Sequence, residues 1–259
     1  TKKVLERAGI SVPGGYEYTS PEAGMADYRM YAGKPVVIKP KSTNFGLGIT
    51  ILKHNYDETD FKAALQIAFE HDNTVLIEKF IPGREFRIFI INDEVVGILH
   101  RVPANVTGDG VLNIGQLIDR KNEDPLRGKG YRTPLEKIRK GREEEMFLKQ
   151  QGMDFNTVPK EGEVVYLREN SNISTGGDSI DFTDDIDDSY KAIAVEAAKA
   201  LNVKITGLDM MIQDIHAPAT PDNYAIIEMN FNPAIHIHCY PFKGKNRHLN
   251  HKMIRALGF

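Results

Sequence analysis

The chain has 259 residues, of which 41% are hydrophobic and 27% are charged, a composition typical of a folded globular protein and not of a disordered one. Its 33 basic and 36 acidic residues give a formal net charge of -3, which excludes the basic surplus typical of nucleic-acid-binding proteins. No apolar run in the sequence approaches the roughly 20 residues that a membrane-spanning helix needs. We therefore expect neither a nucleic-acid partner nor a membrane span.

The cysteine count and the N-terminus bear on the cellular compartment. The single cysteine, Cys239, rules out an internal disulfide and favours a reducing, cytoplasmic location. Residues 1–9 have the charged amphipathic pattern of a helix and not that of a signal peptide. Because the first residue is not methionine, the sequence has the character of a processed, truncated or excised piece of a longer protein.

Proline and glycine divide the N-terminal part into short elements. A helix is predicted first, at residues 1–8. Asp57 can cap a second helix, in which apolar residues recur at helical spacing. Strands are predicted at residues 35–39, 49–52 and 74–79. Together these elements predict a β-β-α-β lid subdomain at residues 16–81, which follows an N-terminal helical region at residues 1–15.

The remainder, residues 82–259, is predicted to form a larger body joined to the lid near Pro82 and Gly83. A long polar stretch at residues 122–160 contains a charged helix around residues 135–150. The other predicted elements are a hairpin at residues 85–92 and 94–103, strands at 163–167, 205–213 and 224–229, and a helix at 189–201. This mixture predicts the α/β (α+β) class, with a small lid packed over a larger mixed-sheet body.

The last two strands carry carboxylates in unusual positions. Glu228 and Asn230 alternate along a strand, so both point to one face, while Ile227 and Met229 are predicted to point to the other. Asp209 interrupts the otherwise apolar strand before it, where a charge is costly unless it is paired or bound to a metal. Two carboxylates and an amide oxygen suit Mg²⁺. The alternative is that these carboxylates pair with nearby arginines.

A strand also delivers a lysine, Lys39, into a glycine-containing loop. The backbone N–H groups of such a loop could surround phosphates, although the segment is neither a P-loop nor a G-x-G-x-x-G motif. An ordinary hairpin with a solvated lysine is the alternative. The candidate phosphate-binding residues are Lys39, Lys41, Ser42, Asn44, Gly46 and Gly48.

The strand that ends near residue 79 runs directly into a connector. Its backbone N–H and C=O groups could recognise the flat edge of a purine, and Glu85, just beyond it, could bind ribose hydroxyls. The segment is equally well explained as a link between subdomains, and both descriptions can hold because nucleotides often bind at such junctions. The candidate nucleotide-binding residues are Glu78, Lys79, Phe80, Ile81 and Glu85.

A polar loop follows Arg168 at the end of another predicted strand. Arginine and the loop N–H groups could stabilise the charge on a transferring phosphoryl group, whereas a surface loop closed by Asx turns is the alternative. The candidate substrate-binding residues of this loop are Asn170, Asn172, Ser174, Thr175, Gly176 and Gly177.

The order of these features resembles that of the ATP-grasp ligase superfamily: lysine strand, glycine loop, connector, ribose acid, arginine loop, aspartate strand and Glu-x-Asn. The segments LRENSNISTGGDSIDFTDD, RVPANVTGDG and EMNFNPAIHIHCYPFKGKNR resemble the ATP-grasp half of the bacterial bifunctional glutamate–cysteine ligase/glutathione synthetase family. The cyanophycin synthetase family shares a similar pattern in the first of these segments. The resemblance covers nearly the whole chain.

The resemblance implies that γ-glutamylcysteine, glycine and ATP give glutathione, ADP and phosphate through an acyl phosphate. In this family ATP lies between the lid and the body. By motif, Lys39 contacts the phosphates, Glu85 binds the ribose, and Asp209, Glu228 and Asn230 hold Mg²⁺, with Mn²⁺ as an alternative ion. Arg168 is expected to steady the acyl phosphate, with help from Arg101.

Several alternatives stay open at this point. A cyanophycin-type or other amino-acid ligase would keep every nucleotide residue and differ in the substrate loop. A non-catalytic nucleotide-binding module and a phosphotransferase belong to other functional classes. The family resemblance further implies a fused glutamate–cysteine ligase region, which does not precede this segment, and a homodimer is expected as the oligomeric form.

Overall fold

The computed structural model describes residues 1–43, 47–53 and 55–258. The N-terminal part is a four-stranded antiparallel sheet with short helices. The helices are α1 (Lys2–Arg7), α2 (Pro21–Ala26), α3 (Tyr28–Tyr31) and α4 (Glu58–Phe69). The strands are β1 (Gly15–Tyr18), β2 (Val36–Pro40), β3 (Thr50–Leu52) and β4 (Val75–Lys79), in the order β1-β4-β2-β3. The predicted β2, β3, α4 and β4 are confirmed, and β1 adds a fourth strand.

Helix α4 begins where the sequence predicts. The Asp57 carboxylate accepts hydrogen bonds from the backbone N–H groups of Thr59 and Asp60, at 2.8 and 3.0 Å, and so satisfies two donors of the first turn. One face of the helix is buried against the sheet, with Phe61 stacked among the rings of Tyr28, Tyr31 and Tyr56. The residues of this face are Phe61, Ala64, Leu65 and Ala68, which belong to a hydrophobic cluster confined to the N-terminal part.

The chain continues into the predicted hairpin, formed by β5 (Arg84–Ile91) and β6 (Glu94–Val102). Asn92 lies in its turn with φ 54°, a left-handed conformation that asparagine tolerates better than most residues. Residues 103–177 then form a separate small layer with its own hydrophobic cluster. Its elements are β7 (Asn105–Thr107), α5 (Ile114–Lys121), β8 (Arg127–Gly128), β9 (Leu135–Glu136), α6 (Arg142–Gln150), β10 (Val164–Tyr166) and a 3-10 helix (Ile173–Thr175).

The charged helix predicted around residues 135–150 begins later than expected. Leu135 and Glu136 instead form β9, which pairs with β8 in parallel. Helix α6 begins after Gly141, whose backbone N–H donates to the Glu144 carboxylate at 2.9 Å. The prediction of a helix at residues 135–141 was therefore wrong, because pairing with β8, eight residues earlier in the chain, outweighs local helix propensity there.

The C-terminal part completes a second, five-stranded sheet. It contains β11 (Asp178–Asp181), α7 (Asp188–Ala200), β12 (Ile205–Ile212), β13 (Tyr224–Asn230), α8 (His236–Cys239) and α9 (Leu249–Ala256). The sheet order is β11-β6-β5-β12-β13, and all neighbouring strands are antiparallel. Helix α7 packs on one face over the largest hydrophobic cluster. Residues of α8 and α9 cover part of the opposite face, around Phe89.

A bulge in β13 changes which apolar residues share a face. Asp209 pairs with Glu228 but the next residue, Met210, pairs with Ile226, so Ile227 is left without a partner across the strand. Ile226 and Met229 consequently both enter the core under α7, and the predicted grouping of Ile227 with Met229 was wrong.

Among the described residues, no helix is both long enough and apolar enough to span a membrane.

The N-terminal cluster allows a direct test of its packing. Phe61→Ala should lower the free energy of unfolding by about 3–5 kcal/mol, because a fully buried ring is lost. Ile67→Ala, on the same helix but with a side chain 44% exposed, should cost less than about 1 kcal/mol. Urea unfolding followed by circular dichroism measures both variants, and equal losses would contradict the assigned face.

Candidate active site on the five-stranded sheet

Asp209 occupies the centre of the candidate site. Its side chain lies on β12 and is only 1% exposed. In the sheet it lies opposite Arg87 of β5 on one side and Glu228 of β13 on the other. Arg87 Nη2 donates to Asp209 Oδ2 at 2.8 Å, and Arg87 Nε donates to Oδ1. Arg101 of β6 donates from Nη2 to the same Oδ2 at 3.1 Å.

The two arginines determine the charge state of this buried acid. Burial alone would raise the pKa of Asp209, but the adjacent guanidinium groups of Arg101 and Arg87 hold that pKa below its ordinary value. Burial would likewise lower the pKa of Arg87, yet Asp209 raises it. The group is therefore an ion pair at neutral pH, and the pairing with arginine left open by the sequence is present in this structure.

Glu228 and Asn230 lie on the same face as Asp209. In the orientation of the Asn230 amide that satisfies both of its neighbours, its nitrogen donates to Glu228 Oε1 at 2.8 Å and its oxygen accepts from Arg87 Nη2 at 3.2 Å. Glu228 is exposed and so is open to a ligand. The three side chains offer carboxylate and amide oxygens, the donors that Mg²⁺ prefers. Within the described residues no cluster of three or more His, Cys, Asp and Glu could hold a metal, so phosphates and water would have to complete this shell.

Arg101 also links the predicted metal site to the predicted ribose site. Its Nη2 contacts Glu85 Oε1 as well as Asp209. The other oxygen of Glu85 accepts a hydrogen bond from Ser171 Oγ at 2.8 Å, which connects the predicted substrate loop to the site. One guanidinium therefore bridges the two acids that the sequence assigns to nucleotide and metal.

The candidate phosphate-binding lysine lies on the four-stranded sheet. Lys39 Nζ is 3.0 Å from Glu78 Oε2, and Lys2 Nζ from α1 contacts the other oxygen of Glu78. Glu78 is 4% exposed. Burial and the neighbouring Lys39 lower the pKa of Lys2. The Glu78 carboxylate thus holds two cations in place in the ligand-free chain.

The connector after β4 contains a backbone donor, the Ile81 N–H, that is not used within the described residues. The Lys79 N–H donates to Gly14 O at 2.8 Å, and the Phe80 N–H donates to Pro35 O at 3.0 Å. Among the described residues, the Ile81 N–H has no acceptor. This donor remains available for a ligand.

The glycine-containing loop after β2 is only partly described. Lys41 Nζ is 2.8 Å from Glu17 Oε2 on the surface, and the Ser42 N–H donates to Asp72 Oδ2 at 2.7 Å. Gly48 adopts φ 73°. The predicted contributions of Asn44 and Gly46 lie outside the described residues.

Arg168 lies in a different environment from the one expected. Its Nε donates to Glu144 Oε1 at 2.7 Å, and it also contacts Glu143, so its guanidinium is held by α6. The structure brings Arg87 and Arg101, and not Arg168, to the Asp209 carboxylate.

The loop after Arg168 is shaped by its own hydrogen bonds. Thr175 Oγ1 donates to Asn170 Oδ1 at 3.0 Å and to Asn172 O at 2.9 Å. Ser174 lies within the 3-10 helix, and Gly176 ends it with φ 93° in the left-handed region that glycine adopts readily. Gly177 then leads into β11.

Two functional candidates were not predicted from the sequence. Arg87 alternates with Glu85 along β5, so strand periodicity could have placed both on the polar face. Lys2 reaches Glu78 across 76 residues of sequence, and no local pattern signals that contact.

Comparisons with known proteins agree with this architecture. A family profile described as "D-ala D-ala ligase C-terminus" matches residues 15–113. The glutathione biosynthesis bifunctional protein of Desulfotalea psychrophila is 62% identical over 259 residues, which are 100% of this chain and 33% of that protein. The crystal structure of a bifunctional glutathione synthetase from Pasteurella multocida is 47% identical, with a TM-score of 0.74 over 99% of this chain and 35% of that one. An ATP-grasp ligase, PsnB, is 14% identical with a TM-score of 0.50, over 98% of this chain and 57% of that one.

The two sheets and these structural neighbours define the class: the chain has the ATP-grasp fold. Over its whole length it is homologous to one segment of the bifunctional glutathione biosynthesis proteins. It spans about a third of the length of these relatives.

Removal of Arg87 tests the ion pair at the centre of the site. Arg87→Met should lower the free energy of unfolding of the ligand-free chain by about 3–5 kcal/mol at pH 7, because a buried carboxylate is left with one cation. The pKa of Asp209 should rise in the variant. In the wild type, the depressed pKa of Asp209 stabilises the fold at pH values above the unfolded pKa of about 3.9, and this stabilisation is lost as the pH falls below it. In the variant, a raised pKa of Asp209 would destabilise the fold, most strongly at high pH.

The stability gap between wild type and Arg87→Met should therefore narrow as the pH falls from 7 to about 4. Urea unfolding at several pH values measures this gap. Arg29→Met, at an exposed position on α3, is the control and should show a small gap that does not change with pH. A large gap for Arg87→Met that stays constant over this range would contradict the pairing.

Proposed function

We propose that the chain is an ATP-dependent carboxylate–amine ligase that forms glutathione from γ-glutamylcysteine and glycine. The observation that carries this proposal is its 62% identity, over its whole length, to a glutathione biosynthesis bifunctional protein. ATP would phosphorylate the glycine-accepting carboxylate of γ-glutamylcysteine to an acyl phosphate. The glycine amine would attack the acyl carbon and expel phosphate. In the relatives' architecture, residues 16–81 would act as the lid and residues 82–259 as the body.

The proposed metal site uses the oxygens on the polar face of the five-stranded sheet. Asp209, Glu228 and Asn230 would hold Mg²⁺ or Mn²⁺, which when bound neutralises phosphate charge. Asp209 would then exchange at least one arginine contact for the ion. Since both of its oxygens now accept hydrogen bonds from guanidinium groups, binding is a substitution of one cation for another.

Nucleotide binding to the lid would likewise replace internal ion pairs with contacts to the ligand. The phosphates would draw Lys39 and Lys2 away from Glu78, with Lys41, Ser42 and the glycine-containing loop covering them. The free Ile81 N–H is suited to an adenine ring nitrogen, and Glu85 to the ribose hydroxyls.

Arg101 is the residue best placed to steady the acyl phosphate. Ribose binding to Glu85 and ion binding to Asp209 would together release its guanidinium from both carboxylates. A freed arginine beside the phosphates is a strong partner for a developing negative charge. Arg168, held by Glu143 and Glu144, is better placed to support the substrate loop than to contact the phosphate.

The relatives are about three times as long as this chain, and their additional length indicates which partner could supply a substrate. Because this chain matches about a third of each, we propose that a fused glutamate–cysteine ligase region supplies γ-glutamylcysteine in the complete cytoplasmic protein. No partner beyond these small molecules is required for the ligation itself.

The metal assignment has a sharp test in Glu228→Gln, which keeps the shape and removes the charge. Turnover in a coupled ADP-release assay should fall by at least about 100-fold, since even outer partners of metal sites contribute 10- to 100-fold. Mn²⁺ affinity, measured by electron paramagnetic resonance of the free ion, should fall as well. The melting temperature should stay close to that of the wild type.

Glu196→Gln is the matched control, because Glu196 is exposed on α7, across the sheet from the site. It should leave turnover and Mn²⁺ affinity unchanged. Wild-type ADP release should require both γ-glutamylcysteine and glycine. Full activity of Glu228→Gln would disprove the metal site. If the wild-type chain binds ATP but releases no ADP with any pair of acid and amine substrates in a panel, the ligase function is disproved.

A further inference from the structure

The polar stretch between α5 and α6, residues 122–140, contributes no residue to the proposed chemistry, yet it contains a wholly buried cation. The Arg127 side chain is 0% exposed. Burying a guanidinium is costly unless its donors are used, so the contacts of Arg127 indicate what the stretch is for.

Arg127 holds the end of the substrate loop, defined here as residues 170–177. Its Nη1 donates to Gly176 O at 3.0 Å and to Glu136 O at 2.8 Å. Its Nη2 donates to the Asp178 carboxylate. The guanidinium therefore fixes the residue before and the residue after Gly177.

Asp178 is fixed from a second direction by α5. Lys121 Nζ donates to Asp178 Oδ2 at 2.7 Å, and Asn105 Nδ2 donates to the same oxygen at 3.0 Å. The ring of Phe242 faces both cations, with its centroid 5.2 Å from Lys121 Nζ and 5.4 Å from Arg127. One carboxylate at the end of the loop is thus held by three elements distant in sequence.

The stretch itself is built as a rigid support. The Asn122 amide donates to Ile138 O at 2.8 Å and accepts from Ile138 N at 2.9 Å, which closes the stretch at its two ends. Gly176 packs on it so closely that a Cβ there would lie 2.8 Å from Ile138 Cα. Loop and support therefore fit at van der Waals distance.

The position of Asp178 connects this support to the proposed reaction centre. Asp178 is the first residue of β11, and the next residue, Ser179, pairs with Arg101 in β6. Any shift of Asp178 would therefore move both the substrate loop and the strand that faces Arg101.

We infer that Arg127 is a positioning residue that pre-organises the substrate loop for the acid and amine substrates. This role rests on the proposed function, in which residues 170–177 line the substrate end. Pre-organisation matters because small displacements of reacting groups cost large factors in rate. Of the proposed nucleotide contacts, those of Lys2, Lys39 and Ile81 lie outside this support, whereas Glu85 touches the substrate loop through Ser171 Oγ.

The test is Arg127→Lys, which keeps the charge but removes the fork that reaches three acceptors at once. We expect kcat/KM for γ-glutamylcysteine and for glycine to fall about 10- to 100-fold. The KM for ATP should change by a smaller factor, because Glu85 is the one proposed nucleotide contact that touches the loop. Amide hydrogen exchange of residues 170–177 in the ligand-free chain should become faster, while exchange in β4 should not.

Arg120→Lys is the matched control, because Arg120 is 53% exposed on α5 and, among the residues that the structure describes, pairs with Asp109 alone. It should leave all of these quantities unchanged.

If Arg127→Lys does not fold, Lys121→Gln removes the other cation at Asp178. This variant should likewise lower kcat/KM for γ-glutamylcysteine and glycine by more than it changes the KM for ATP. A wild-type chain that makes no glutathione would disprove the proposed function, but hydrogen exchange would still test the support. Unchanged exchange and kcat/KM, or an equal rise in the KM for ATP, would overturn the inference.

Discussion

A buried carboxylate between two guanidinium groups is the interaction on which the site depends. Asp209 is 1% exposed, and an unpaired charge there would cost several kcal/mol. Its partners are Arg87, from the adjacent strand β5, and Arg101, from β6 one strand further along the sheet. The sheet order is therefore what makes the charge tolerable. The apolar cluster under α7 supports the opposite face of the same strands and keeps their spacing fixed.

Internal ion pairs also occur at other residues that are proposed to contact a ligand. Glu78 holds Lys39 and Lys2, and Arg101 holds Glu85 together with Asp209. Each of these proposed ligand-binding charges thus has an internal partner of opposite sign in the ligand-free chain. The desolvation cost of these groups is met during folding, and a ligand needs only to replace the internal partner. The affinity for a ligand then depends on how much more strongly the charged group binds that ligand than its internal partner. This favours polyvalent phosphates and divalent cations over ions of lower charge.

Patterns that depend on neighbouring residues were predictable from sequence. The capped helix α4, the β5–β6 hairpin and the shared face of Glu228 and Asn230 follow from local spacing, and the order of the motifs indicated the fold. Features set by the pairing of one strand with another were not. The bulge at Ile227 depends on pairing with β12, and the late start of α6 depends on β8. Arg168 follows a strand and precedes a polar loop, as a phosphate-binding arginine would, and no local pattern signals that the carboxylates of α6 hold its guanidinium.

Under the proposed function, the position of Arg101 would let the site respond to ribose and metal together and not to either alone. Its guanidinium is shared between Glu85 and Asp209, so ribose binding alone leaves it held by Asp209, and ion binding alone leaves it held by Glu85. Only when both carboxylates have new partners is the cation released from both. A free guanidinium in a partly buried site gains more from a new anion than one that keeps an old partner. Stabilisation of the acyl phosphate would therefore be strongest when the ribose and the metal are both in place, which couples two binding events to one catalytic cation.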